Sequence, residues 1–180
     1  MIQKATDLAK EIIRSQKDIK IAVDMTAGNG YDSLFILDEL EPEKLYAFDI
    51  QAIARDNTVD LIGDRDNFKF ILDSHANIDK YIKEKIDLAI YNLGYLPKAD
   101  KSITTNSDST ISSLKKVLDL LKVNGKVIIT VYPGHPEGSQ EAEDLGAFLS
   151  NLDQRKFVVL KMEYSNQINN PPFIYYLTKK

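Results

Sequence analysis

The sequence predicts an α/β protein in one domain over residues 1–180: a doubly wound sheet of seven strands, mostly parallel, with the last strand antiparallel. Three observations predict it. Short apolar runs alternate with segments of helical periodicity along the whole chain, the pattern of a parallel sheet covered on both faces. The first apolar run breaks at Gly28-Asn29-Gly30, where glycine accepts a positive φ without a Cβ clash, and a helix opens straight out of that turn. The last two apolar runs have no helical segment between them, so they pair antiparallel.

In chain order, Ile2, Ala5, Leu8, Ala9, Ile12 and Ile13 recur at helical spacing and predict an amphipathic helix over 2–16. Strand one is Lys20 to Met25, and the next helix runs from Tyr31 to Leu40, stopping near Pro42. Lys44 to Asp49 is strand two, Gln51 to Ile62 a helix ended by Gly63, and Phe68 to Leu72 strand three. A short helix follows over Ala76 to Tyr81. Strand four is Ile86 to Tyr91, running into the turn-rich Asn92-Leu93-Gly94-Tyr95-Leu96-Pro97. After a polar loop, Ser107 to Leu121 places Ile111, Leu114, Val117, Leu118 and Leu121 on one helical face. Asn124-Gly125 reads as a sharp turn before strand five, Lys126 to Val131. Tyr132 to Gly138 holds too much Pro and Gly for a regular element, and Ser139 to Asn151 is the next helix. Strands six and seven are Phe157 to Met162 and Phe173 to Leu177.

Composition narrows the class. With 43% apolar and 28% charged residues the chain matches an ordinary globular protein. No apolar run reaches the length of a membrane span and no signal peptide opens the sequence, so the expected place is the cytoplasm and no membrane partner is expected. There is no cysteine, which removes disulfide and thiolate chemistry. His75 and His135 are the only histidines, too few for a histidine-built metal site, so no metal is expected. Net charge is −4 but uneven: residues 1–90 carry 12 basic and 18 acidic side chains, residues 91–180 carry 11 and 9. If a cofactor occupies the first half, the second half is the better face for a phosphate-bearing partner; a solvated surface of mixed sign explains the imbalance equally well.

In an open parallel sheet, ligands bind beyond the carboxyl ends of the strands. Five such ends here are polar or glycine-rich: Asp24 to Gly30, Asp49 to Gln51, Asp73 to His75, Asn92 to Pro97 and Tyr132 to Gly138. Asp49 ends an apolar run about 20 residues after the glycines, the spacing at which an acid reaches a ribose hydroxyl pair. Bland alternatives stand beside each. Asp24 fits a turn cap, Asn29 and Asp32 fit turn and helix N-terminal positions, and Ser74 fits a helix cap. Asn92 ends an apolar strand, where a buried amide needs a partner.

Taken together, these segments resemble a class I S-adenosylmethionine-dependent methyltransferase with a Rossmann-like sheet. The marks are Asp24 through Asp32, Phe48-Asp49-Ile50-Gln51, Ser74-His75, Asn92 through Pro97, Tyr132-Pro133-Gly134-His135 and Asn166-Gln167. In that order they are similar to a small bacterial family once labelled rRNA methylases, whose members are understood to methylate the wobble uridine of tRNA, turning 5-aminomethyl-2-thiouridine into its 5-methylaminomethyl form. Tyr31 stands where many relatives have histidine, and Met25 where a small residue is expected.

The resemblance implies S-adenosyl-L-methionine as cofactor, contacted by Asn29, Asp32, Asp49, Gln51, Ser74 and His75; the glycine turn itself adds Asp24, Gly28 and Gly30 on the cofactor side. It implies that the Asn92 segment faces the acceptor amine and that a tRNA anticodon stem-loop is the partner; the needs of such a transfer then have Asn92 aim the amine and Tyr95 stack on the extruded base or on the methyl donor. An rRNA substrate, or a non-catalytic tRNA- or protein-binding domain, remains as an alternative function. A nicotinamide dehydrogenase fits less well, because its third glycine falls on Ser33. The oligomeric state, monomer or homodimer, is left open.

Overall fold

The computed structural model describes residues 4–94, 107–134 and 136–180. Its elements are α1 (Ala5–Arg14), β1 (Ile21–Asp24), α2 (Tyr31–Leu40), β2 (Lys44–Asp49), α3 (Ala52–Ile62), β3 (Phe68–Leu72), a 3-10 turn at His75–Asn77, α4 (Ile78–Tyr81), β4 (Ile86–Leu93), α5 (Ser107–Leu120), β5 (Leu121–Val131), α6 (Pro136–Ser150), β6 (Phe157–Met162) and β7 (Phe173–Lys179). The seven strands form one sheet in the order β3-β2-β1-β4-β5-β7-β6. β1 pairs parallel with β2 and β4, while β7 lies between β5 and β6 and runs antiparallel to both. No helix intervenes at 163–172.

β1 is buried on both faces, so it reads as an unbroken apolar run rather than an alternating one. Its alternate side chains enter opposite cores. Ala22 joins Ile36, Leu45 and Ile90 under α1 and α2, whereas Val23 joins Phe48, Tyr91 and Leu114 under the helices of the other face. Sequential strands spread outward from β1 in both directions, so the switch point falls between β1 and β4, the position where such sheets open a crevice. Among the described residues, no helix is long and apolar enough to cross a membrane.

Three boundaries differ from the expectation. β4 runs on through Leu93, so Asn92 is a strand residue that pairs with Thr130 rather than the start of a loop. β5 begins at Leu121, and Asn124, at φ 64, sits in an irregularity inside that strand. α6 begins at Pro136, within the segment read as loop. Proline is tolerated in the first helical turn because the N–H it lacks would go unpaired there.

Candidate active site

The turn after β1 is tied to the strands on either side. Met25 N donates to Ile90 O at 2.9 Å and Ala27 N to Phe48 O at 2.9 Å. Gly28 and Gly30 take φ of 53° and 82°. An added Cβ on Gly30 would stand 2.9 Å from Thr58 Cγ2, so glycine here also lets α3 pack against the turn. From α3, Thr58 Oγ1 donates to Gly28 O at 3.1 Å and Asn57 Nδ2 to Asn29 Oδ1 at 2.9 Å.

Three carboxylates converge below and beside this turn. Asp24 is fully buried: Oδ2 accepts from Ser33 Oγ at 2.6 Å and Oδ1 from Thr26 N at 3.1 Å. Burial, with the negative Asp32 and Asp49 adding to it, pushes its carboxyl up to about 7. Asp49 is half-buried. Its Oδ2 accepts from Gly28 N at 3.0 Å and its Oδ1 from Gln51 N at 2.9 Å. A carboxylate offers about four lone pairs, so both oxygens retain capacity for a further donor. Asp32 Oδ2 accepts from Asn92 Nδ2 at 2.9 Å, across 60 residues of chain.

The far wall comes from β4 and the chain after β3. Asn92 N donates to Thr26 Oγ1 at 2.7 Å. The Tyr132 hydroxyl is held above its usual pKa by burial and by Asp32, and a hydrogen bond links it to the Asn92 side chain. Ser74 caps the 3-10 turn, accepting from Ala76 N at 3.2 Å. His75 Nδ1 lies 3.1 Å from Met25 O; a carbonyl only accepts, so the proton sits on Nδ1. Burial lowers the His75 pKa, which keeps the ring neutral, and its Nε2 is buried without a partner.

These groups border one cleft of about 970 Å³, near the top of the roughly 300–1,000 Å³ range of small-molecule sites. Asn29, Asp32, Asp49, Gln51, His75 and Asn92 line it. Gly28 and Ser74 are on its wall as well.

A family model described as "Putative rRNA methylase" matches residues 45–178. The chain belongs to this family of S-adenosylmethionine-dependent methyltransferases. The chloroplastic tRNA (mnm(5)s(2)U34)-methyltransferase of Arabidopsis thaliana is 30% identical over 191 residues, covering 96% of this chain and 69% of that protein. A Clostridium thermocellum protein solved under the same rRNA-methylase description is 34% identical, with a TM-score of 0.95 and 100% of both chains covered. A Streptococcus mutans methyltransferase solved in complex with SAH is 36% identical, with a TM-score of 0.88 and again 100% of both chains.

The cleft of this methyltransferase gathers most of the residues singled out from the sequence, but not all. Asp24 is a correction: it does not reach the wall, because it is fully buried beneath the turn, where its oxygens accept from Ser33 and Thr26. Gly30 is a second: it is buried against Thr58 and shapes the turn from behind. Tyr95 and His135 lie outside the described residues. The sequence reading missed Thr26 and Thr58, ordinary polar residues that brace the turn from inside. It also missed two contributors to the wall: Thr6 and Lys10 on the polar side of α1, and Asn169 to Pro172 between β6 and β7. The Pro171-Pro172 pair was the one available signal for the last of these.

The residues present fit a nucleoside-bearing cofactor. Glycines at positive φ bring backbone to the cleft, Asp49 retains lone pairs for hydroxyl donors, and His75 Nε2 is an orphaned acceptor in the wall's own residue.

Proposed function

We propose that the chain, acting as one domain, transfers a methyl group from S-adenosylmethionine to the amine of 5-aminomethyl-2-thiouridine at the wobble position of tRNA, forming 5-methylaminomethyl-2-thiouridine. The observation that carries this reading is the 30% identity, over 96% of the chain, to the Arabidopsis enzyme named for that nucleoside. The cleft supports it by combining a cofactor half with an amide at the end of β4.

S-adenosylmethionine, when bound, supplies an electrophilic methyl on sulfonium. In this reading Gly28 and Asn29 bring the turn close to it, Asp49 accepts from its ribose hydroxyls, and Gln51, Ser74 and His75 complete that half. Asn92 Oδ1 accepts a hydrogen from the substrate amine and aims its lone pair. The amine must be neutral to react, and a desolvated wall favours the neutral form by disfavouring the ammonium. The ammonium proton leaves to water before transfer. Tyr95 stacks on the base once it has left its own stack. Catalysis is then chiefly positioning, and the tRNA anticodon stem-loop is the macromolecular partner.

The test is to incubate the protein with S-adenosylmethionine and tRNA from cells lacking the terminal methyl, then to analyse the nucleosides by mass spectrometry. One added methyl on 5-aminomethyl-2-thiouridine is the expected result. Undermethylated rRNA belongs in a parallel arm, because the family description names rRNA. Transfer to rRNA alone would replace the tRNA reading, and cofactor binding without transfer to either would point to a non-catalytic role.

A further inference from the structure

We propose that Asp32 is a positioning residue of the acceptor half: its carboxylate takes the NH2 of Asn92 and so turns the Asn92 carbonyl oxygen toward an acceptor that bears an N–H. The choice of an amine as that acceptor rests on the methyl-transfer reading above. The resemblance assigns Asp32 to the cofactor; the hydrogen bonds assign it to the opposite half.

The argument begins with what each group can give. A carboxylate has lone pairs and no proton, so only the NH2 end of an amide satisfies it. Asp32 Oδ2 takes Asn92 Nδ2 at 2.9 Å, which fixes which end of the planar amide faces α2. The Asn92 backbone is pinned separately, its N–H donating to Thr26 Oγ1 at 2.7 Å within the β1 turn. With strand register, main-chain contact and one amide end all set, rotation of the side chain is closed off. Oδ1 is left on the other side with two lone pairs, of which the Tyr132 hydroxyl bonded to this side chain takes at most one. Hydrogen bonds to a charged partner are about twice as strong as neutral ones, so an acid holds this orientation better than a hydroxyl or a second amide would.

Selectivity follows from the same lock. An amine offers a hydrogen to Oδ1 and keeps a lone pair for the methyl. A bare ring nitrogen of a purine offers none, and it would be met by a carbonyl oxygen, lone pair against lone pair. If the amide were free to turn over, its NH2 would meet that ring nitrogen instead and the discrimination would be lost. Asp32 therefore sets acceptor class through Asn92 without touching the acceptor.

Three measurements on the intact protein test this. Asp32→Ala should slow single-turnover methylation by about 10²-fold, the loss expected when a reacting group is misplaced by about an ångström, while affinity for S-adenosylmethionine stays within about threefold. Asp32→Asn, which keeps the volume if the alanine variant folds poorly, should fall between that variant and wild type. The double variant Asp32→Ala/Asn92→Ala should be no slower than Asn92→Ala alone, because one residue acts through the other. Finally, the side-chain NH2 resonances of Asn92 in ¹⁵N-edited NMR should move in both Asp32 variants. That arm needs no RNA, so it decides the proposal even if wild type fails to methylate tRNA. Unmoved Asn92 resonances, cofactor affinity lowered tenfold or more, or additive losses in the double variant would each overturn it.

Discussion

On the β1–β2 side of the cleft the wall is mostly main chain: Gly28 N–H reaches Asp49, Ala27 N–H reaches Phe48 O, and Thr58 closes on Gly28 O from behind. On the β4–β5 side the wall is side chain, with the Asn92 amide strung between Asp32 and Tyr132. Backbone geometry is set by the fold as a whole, so changes on the first side should register in stability and cofactor affinity. A side-chain wall answers to single residues, so changes on the second side should register in rate. Four substitutions break or sharpen that contrast.

The largest expected effect is at Asp24, under the backbone wall. Its folded pKa of about 7 stands above the unfolded value of about 3.9, so the native state holds a proton that the unfolded chain has already lost. Stability should therefore fall as pH rises from about 4 to about 7, with a full penalty of about 4 kcal/mol above that window. Asp24→Asn keeps an acceptor for Thr26 N–H and removes the titration. Denaturant melts at pH 5 and pH 8 should converge for the variant and diverge for wild type; equal divergence would show that Asp24 is not the group responsible.

Gly30→Ala comes next. It forces a side chain onto φ 82° and sets a Cβ 2.9 Å from Thr58, which should cost about 2–4 kcal/mol of stability from left-handed strain plus overpacking. A thermal melt within 1 °C of wild type would mean that α3 gives way freely.

Asn92→Ala crosses to the side-chain wall. Single-turnover methylation should drop by roughly 10²-fold, about 3 kcal/mol of transition-state stabilisation. Affinity for S-adenosylmethionine should change less than about threefold. If turnover survives and cofactor binding collapses, the contrast between the two walls is reversed at this position.

The smallest of the four is Asp49→Ala, which should weaken cofactor binding by roughly 1.5–3 kcal/mol, the range for hydrogen bonds to a charged group. Because Asp49 also holds Gly28 N and Gln51 N, titration calorimetry should be paired with a melt. An unchanged dissociation constant would remove Asp49 from the cofactor half.

The backbone wall was more legible in the sequence than the side-chain wall, and the reason is range. Gly28, Asn29 and Gly30 advertise their turn locally, because few other residues accept that backbone. Asp49 shows itself by ending an apolar run. Strand and helix periods placed every element, missing chiefly where a local breaker was overridden: Pro136 opens α6, and Asn124 sits inside β5. By contrast, nothing near Asp32 announces Asn92, 60 residues on, and Thr26 finds Asn92 N–H across 66. Thr58 and Lys10 carry no sequence mark at all; their positions follow from how α3 and α1 pack.

The position of β7 has a consequence for how the chain is assembled. β7 pairs with β5 on one side and β6 on the other, and Lys180 N also donates to Lys156 O. During synthesis, β6 emerges before it has any neighbour, and its place in the sheet stays vacant until β7 follows. Until then the rim of β5 is an open row of unpaired amides, the kind of edge that recruits other chains. Seating the last segment closes that rim and captures β6 in one event. It also brings Asn169 to Pro172 to the cleft, so this wall of the cleft is finished only once β7 is seated. A deletion confined to β7 would thus cost two strands and one wall of the cleft.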